Sequence, residues 1–194
     1  IGCGNIGIRH LESILQINKK KLIIELTIFE IKKSKIADIK KYIELNKKIN
    51  LSYKVYSTFP ALKKPIDLAI VATDSTPRIG ILKKLSSYKI RHLVLEKLIS
   101  SNLSNLIKTN NLIKKSKFQN IYVNTPRRFM SDYIKLKRKL NFNHPIIVES
   151  FGSNIKLASN SIHIIDLFQF LLNDKKITCI SCNISKISQT NSNY

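Results

Sequence analysis

Acidic residues, glycine, proline and cysteine are all scarce in this chain, and each shortage narrows what it can be. Five Gly and five Pro in 194 residues exclude a collagen-like or Gly/Pro-rich low-complexity chain, while 43% hydrophobic residues are enough for a folded core. Three cysteines do not make an even, regularly spaced disulfide framework and suit a reduced, cytoplasmic compartment. Cys179 and Cys182 form a C-x-x-C, but residues 177–184 read as a strand, on which positions three apart face opposite sides. No metal site is expected there, and buried strand cysteines are. Long apolar runs are also missing: His163, Asp166 and Gln169 interrupt residues 162–172, well short of the ~18 residues a membrane span requires. No membrane partner is expected.

Only 12 Asp and Glu stand against 34 Lys and Arg, a net charge of +22. Such an excess ordinarily points to nucleic acid or an anionic surface. Its distribution points elsewhere: Lys pairs recur along the whole chain, at Lys32-Lys33, Lys40-Lys41, Lys47-Lys48, Lys63-Lys64, Lys83-Lys84 and Lys175-Lys176, with no single stripe. Aromatic residues are not interleaved with a basic run, and no reader motif occurs, so no nucleic-acid partner is expected. Heavy use of Lys, Ile and Asn fits A/T-rich codons.

Hydrophobic period gives alternating helices and strands. Ile8, Leu11 and Leu15 mark a helix from Asn5; residues 22–29 form a strand; Ile36, Ile39 and Ile43 mark a second helix. Strands follow at 52–56 and 68–72, then a helix opened by Thr76 as cap and Pro77 as first residue, with Ile79, Leu82 and Leu85 facing the core. Next come a strand at 92–95, a helix carrying Leu103, Leu106, Ile107 and Ile113, and a strand at 120–123. A basic helix is expected over 126–140, strands at 145–149 and from Ile177, and between them a helix over 160–172. This order predicts an α/β class, a doubly wound Rossmann-type parallel sheet whose first strand would precede Ile1, followed by the start of an α+β domain. The boundary is expected between residues 124 and 125.

Four segments carry chemistry. Gly2-Cys3-Gly4-Asn5-Ile6-Gly7 is a G-x-G-x-x-G, in which glycines allow a tight turn, close approach to a pyrophosphate and close helix packing. A helix follows it, and Glu30 ends the next strand, placed to accept hydrogen bonds from an adenosine ribose. Glu30 favours NAD by repelling a 2′-phosphate, while Lys32 and Lys33 keep NADP open. Val71-Ala72-Thr73 and Glu96-Lys97 end later strands, where ligands of such sheets gather, and a Lys there can exchange a proton. Finally, His163 and Asp166 lie at i,i+3 on a helix apolar nearly all round. Burying both is costly unless they are paired or used, so they form either an acid–base pair or a core His satisfied by Asp166.

In this order the motifs resemble the glucose-fructose oxidoreductase and inositol dehydrogenase family (Gfo/Idh/MocA). The resemblance rests on the glycine loop with Arg9-His10, Val71-Ala72-Thr73, Glu96-Lys97, Asn124 with Arg127-Arg128, and His163-Ile164-Ile165-Asp166-Leu167. Members from surface-polysaccharide and sugar-nucleotide contexts are most similar. The resemblance implies hydride transfer between a nicotinamide cofactor and a sugar or sugar-nucleotide carbinol or carbonyl. Lys97 and His163 would handle the hydroxyl proton, Asp166 would orient substrate or His163, and Thr73, Glu96 and Asn124 would join the glycine loop at the cofactor. It further implies a homo-oligomer for a complete protein. Leu98 replaces the proline usual after Glu-Lys, which predicts a trans bond and a different presentation of Lys97. A dinucleotide-binding relative without turnover is the competing expectation.

Overall fold

A computed structural model of the chain describes residues 1–17, 22–47, 50–62, 64–144, 146–150, 157–173, 176–181 and 183. These fall into two units, Ile1–Thr125 and Pro126–Tyr194.

In the first unit helices and strands alternate: α1 (Asn5–Leu15), β1 (Ile24–Phe29), α2 (Lys33–Asn46), β2 (Leu51–Tyr56), β3 (Ile66–Val71), α3 (Ser75–Leu85), β4 (Ile90–Leu95), α4 (Leu103–Lys114) and β5 (Phe118–Val123). β1 pairs with β2, and β3, β4 and β5 pair in that order, every ladder parallel. Residues 1 and 2 join the two sheets. The Gly2 amide donates to Phe29 at the end of β1 (2.9 Å), and the Ala72 amide beyond β3 donates to the Ile1 carbonyl (2.9 Å). The Ile1 nitrogen donates to Ile70 (2.8 Å). Strand pairs thus run β2-β1, then residues 1–2, then β3-β4-β5, which is the α/β doubly wound arrangement expected from the alternation.

Two apolar clusters hold these layers. Ala69, Val71, Leu93 and Leu95 from one face of the three-stranded sheet meet Leu82 and Leu85 of α3, and Ile28 of β1 meets Leu11 and Leu15 of α1 and Ile39 and Ile43 of α2. The spacing of each helical pair, i,i+3 for Leu82 and Leu85 and i,i+4 for the other two, puts both members on one side. Asn102 closes the start of α4, its side chain accepting from the Asn105 amide at 2.9 Å, which satisfies one of the free first-turn donors. α3 starts one residue before the expected cap: Asp74 precedes it, and Thr76 and Pro77 lie inside the first turn. Proline costs nothing there, because first-turn amides have no carbonyl partner within the helix.

The second unit contains a 3-10 turn at Pro126–Phe129, α5 (Ser131–Lys139) and α6 (Leu157–Leu171). The single basic helix expected over 126–140 is therefore two pieces, divided at extended Met130. Phe170 of α6 packs against two cations, with Lys137 4.1 Å and Arg128 5.6 Å from its ring centre. α6 is not buried all round, since Ile165 is 48% exposed. The strands expected at 145–149 and from Ile177 are absent among the described residues: 146–150 and 176–181 pair with no ladder. Apolar alternation makes a strand only when a neighbour takes up its backbone hydrogen bonds. Cys179, expected to be buried, is exposed, as is Ile180 at 97%; Pro145, Cys182 and Ile184 lie outside the described residues. Among the described residues no His, Cys, Asp and Glu cluster could hold a metal, and no helix is long and apolar enough to cross a membrane.

Packing predicts a contrast between two leucines. Leu93, with no exposed surface at the centre of β4, should cost about 2–5 kcal/mol when truncated to Ala. Leu106→Ala, on the 42% exposed side of α4, should cost about 0.5 kcal/mol or less. Denaturant unfolding of both variants measures the difference.

Candidate functional site

Strand register levels the carboxyl ends of the three-stranded sheet. Val71, Leu95 and Val123 are direct partners, so Ala72-Thr73, Glu96-Lys97 and Asn124 emerge side by side. Residues 1–2 place the glycine loop next to them, with Glu30 beyond β1 on the other side.

Each glycine of the loop has its own physical reason. Gly2 has φ +80°, which side-chain-bearing residues rarely adopt, and a Cβ there would lie 2.7 Å from Cγ2 of Thr73. Gly7 packs α1 onto the loop: its Cβ would sit 1.9 Å from the Gly2 carbonyl oxygen. A Cβ on Gly4 meets nothing within 4 Å. Space is therefore open above Gly4, the residue preceding α1, where no side chain caps the helix and no acid occupies its first turn. Uncapped amides and the positive end of the helix favour an anion at this place. Cys3, Gly4, Asn5 and Ile8 border an open cleft of about 250 Å³, closed on its other side by Lys35, Asp38, Ile39 and Tyr42 of α2.

Glu30 is buried and clamps the loop. One carboxylate oxygen accepts from the Cys3 amide (2.7 Å), the other from the Lys32 amide (2.9 Å). Burial, with Glu30 acting the same way, pushes the Cys3 thiol above its ordinary 9.0, so the thiol stays protonated at neutral pH.

Across the loop, Glu96 is also buried. Its Oε1 accepts from His10 Nε2 of α1 (2.7 Å) and from Asn124 Nδ2 (2.5 Å), so one carboxylate ties α1 to the ends of β4 and β5. Lys97 follows, partly buried, and the Lys97–Leu98 bond is cis, against the expectation drawn from Leu98. Arg78 of α3 is 1% exposed, and its guanidinium donates to the carbonyls of Thr73, Glu96 and Leu98. Burial lowers its pKa from the ordinary arginine value, while Glu96 and Asp74 act the other way. Sequence reading missed Arg78, because one Arg among 34 basic residues carries no pattern that distinguishes it. Thr73 Oγ1 is buried with no partner among the described residues.

The second unit holds the other pair of expected residues. Asp166 of α6 accepts two hydrogen bonds from Arg128, from Nε at 3.0 Å and Nη2 at 2.7 Å. The Asp166 carboxylate thus has a forked cation as partner, a bidentate geometry that fixes its plane. His163 lies one turn earlier on the same helix, partly buried.

The His10–Glu96–Asn124 tie predicts a pH dependence. Burial raises the Glu96 pKa, but hydrogen bonds from His10 and Asn124 and the charge of His10 outweigh it, leaving the group below its ordinary 4.5. A folded-state pKa below the unfolded one contributes stability that is full above pH 4.5 and lost as pH falls through the folded value. Glu96→Gln should therefore destabilise at pH 7 by about 1–3 kcal/mol, and its deficit should shrink in acid. Denaturant midpoints of both proteins from pH 7 down to 3 test this; a gap constant with pH refutes it.

No family model and no curated protein matches the chain. Solved structures do. A probable dehydrogenase from Thermotoga maritima aligns with TM-score 0.63 at 18% identity, over 89% of this chain and 53% of that one. Myo-inositol dehydrogenase from Lactobacillus casei, solved in complex with NAD(H) and myo-inositol, aligns with TM-score 0.64 at 18% identity, over 89% and 52%. Myo-inositol 2-dehydrogenase from Lactobacillus plantarum gives 0.64 at 16%, over 88% and 54%. The chain spans about half the length of these dehydrogenases, and over that span it has their α/β fold.

Proposed function

We propose that this chain forms the cofactor-binding domain and the start of the substrate domain of a Gfo/Idh/MocA-type NAD(P)-dependent oxidoreductase. The reaction is hydride transfer involving a sugar or sugar-nucleotide hydroxyl or carbonyl. The observation that carries the reading is the open, uncapped space above Gly4, framed by two glycines that tolerate no side chain. Backbone amides at the start of α1 would bind the pyrophosphate, Glu30 would face the adenosine ribose, and Thr73 Oγ1 would donate to the ligand over Gly2. Bound there, the nicotinamide supplies acceptance or donation of the hydride. Lys97 and His163 handle the hydroxyl proton, and Asp166, held in plane by Arg128, orients substrate or His163. Support for a polyol-like substrate comes from the Lactobacillus casei neighbour, solved with myo-inositol; the sugar-nucleotide and polysaccharide context rests on the motifs around Asn124 and His163. Residues 125–194 would also carry oligomer contacts. Glu30 makes NAD the preferred cofactor, since a 2′-phosphate beside its carboxylate is repelled.

Titration calorimetry with NADH and NADPH tests the reading. Wild-type chain should bind NADH more tightly than NADPH. Gly4→Asp should keep its fold, because a Cβ at this position meets nothing, and should lose binding, because its carboxylate enters the phosphate position. A folded wild type that binds neither nucleotide, or an Asp variant that binds as well, refutes the proposal.

A further inference from the structure

Buried arginines are rare, because a charge removed from water must be repaid by partners. The hydrogen bonds of Arg78 go to three backbone carbonyls, Thr73 after β3 and Glu96 and Leu98 after β4. Apart from Thr73, these bracket Lys97, the residue given the proton role above. All of them lie at the carboxyl ends of neighbouring strands in direct register. On the other side of the glycine loop stand Glu30 and the cleft bordered by Lys35. A dinucleotide centred on the loop with its adenosine ribose toward Glu30 must extend its nicotinamide half toward Thr73 and Lys97.

From this geometry we propose that Arg78 is a positioning residue for the nicotinamide half of the site. It clips the Thr73 turn to the Glu96–Leu98 turn, and so fixes both the floor under the nicotinamide and the backbone that presents Lys97. The proposal rests on the dinucleotide reading. Its force is geometric: a planar guanidinium offers five donors in fixed directions, enough to span three carbonyls from two strands. An apolar side chain offers none, and a lysine ammonium cannot hold the same fork.

A consequence separates this role from a general contribution to folding. ADP contains only the adenosine and diphosphate half of the ligand, so it reports the loop and Glu30 without the Arg78 turns. Affinities for NADH and ADP are measured by calorimetry on the wild-type chain, Arg78→Met and Arg78→Lys, with thermal unfolding of each. Arg78→Met should weaken NADH about tenfold and leave ADP within about twofold, whatever its loss of thermal stability. Should Arg78→Met fail to fold, Arg78→Lys carries the test, with the NADH-to-ADP affinity ratio falling at least threefold or so. A ratio equal to wild type in a folded variant, or parallel loss of both ligands, overturns the Arg78 role alone. A folded wild type that binds neither ligand overturns the dinucleotide reading and this inference together.

Discussion

Everything in the first unit depends on one close approach: the α-carbon of Gly7 against the carbonyl of Gly2. A methyl group on Gly7 would come within 1.9 Å of that oxygen, so only glycine lets α1 settle onto the loop. Gly2 in turn hydrogen-bonds β1, and Ile1 hydrogen-bonds the end of β3. The same few atoms therefore seat the first helix, join the two parallel ladders and leave the start of α1 open above Gly4. Packing and binding geometry are one constraint here.

Around this loop the charged groups divide into two kinds. Lysines spread over the surface set the net charge and little else, since exposed charges are screened and weakly coupled. Glu30, Glu96 and Arg78 are buried, and each holds backbone or a neighbouring side chain at a strand end. Glu30 fixes the loop to the end of β1, Glu96 fixes α1 to β4 and β5, and Arg78 fixes the β3 and β4 turns to each other. Three strong hydrogen-bonding centres thus replace apolar packing where the sheet ends. Such preorganisation limits the reordering required on binding.

Much of this was legible in the sequence, for reasons that differ by residue. The glycine spacing and the apolar period of α1, α2 and β1 to β5 report local geometry directly, and register then carries Thr73, Glu96 and Asn124 to one edge. Strands expected at 145–149 and from Ile177 did not form among the described residues, because a strand is defined by its partner and alternation says nothing of one. Helix caps also escaped: α3 begins at Ser75 because Pro77 is as acceptable inside the first turn as at its start. Arg78 and the Arg128–Asp166 fork were invisible for another reason. Arg78 reaches across to the turn of a second strand and Arg128 to a helix 38 residues on, and in a chain so rich in cations no single one stands out.

The central claim, that a dinucleotide lies across the Gly2–Gly7 loop and the ends of β3 and β4, is tested most directly by backbone amide NMR during NADH titration. Amides of Gly4, Asn5, Ile6 and Thr73 should shift together and saturably, while those of β2 and of the outer face of α4 stay in place. Shifts confined to other surfaces, or none in a chain with a dispersed spectrum, would contradict the account.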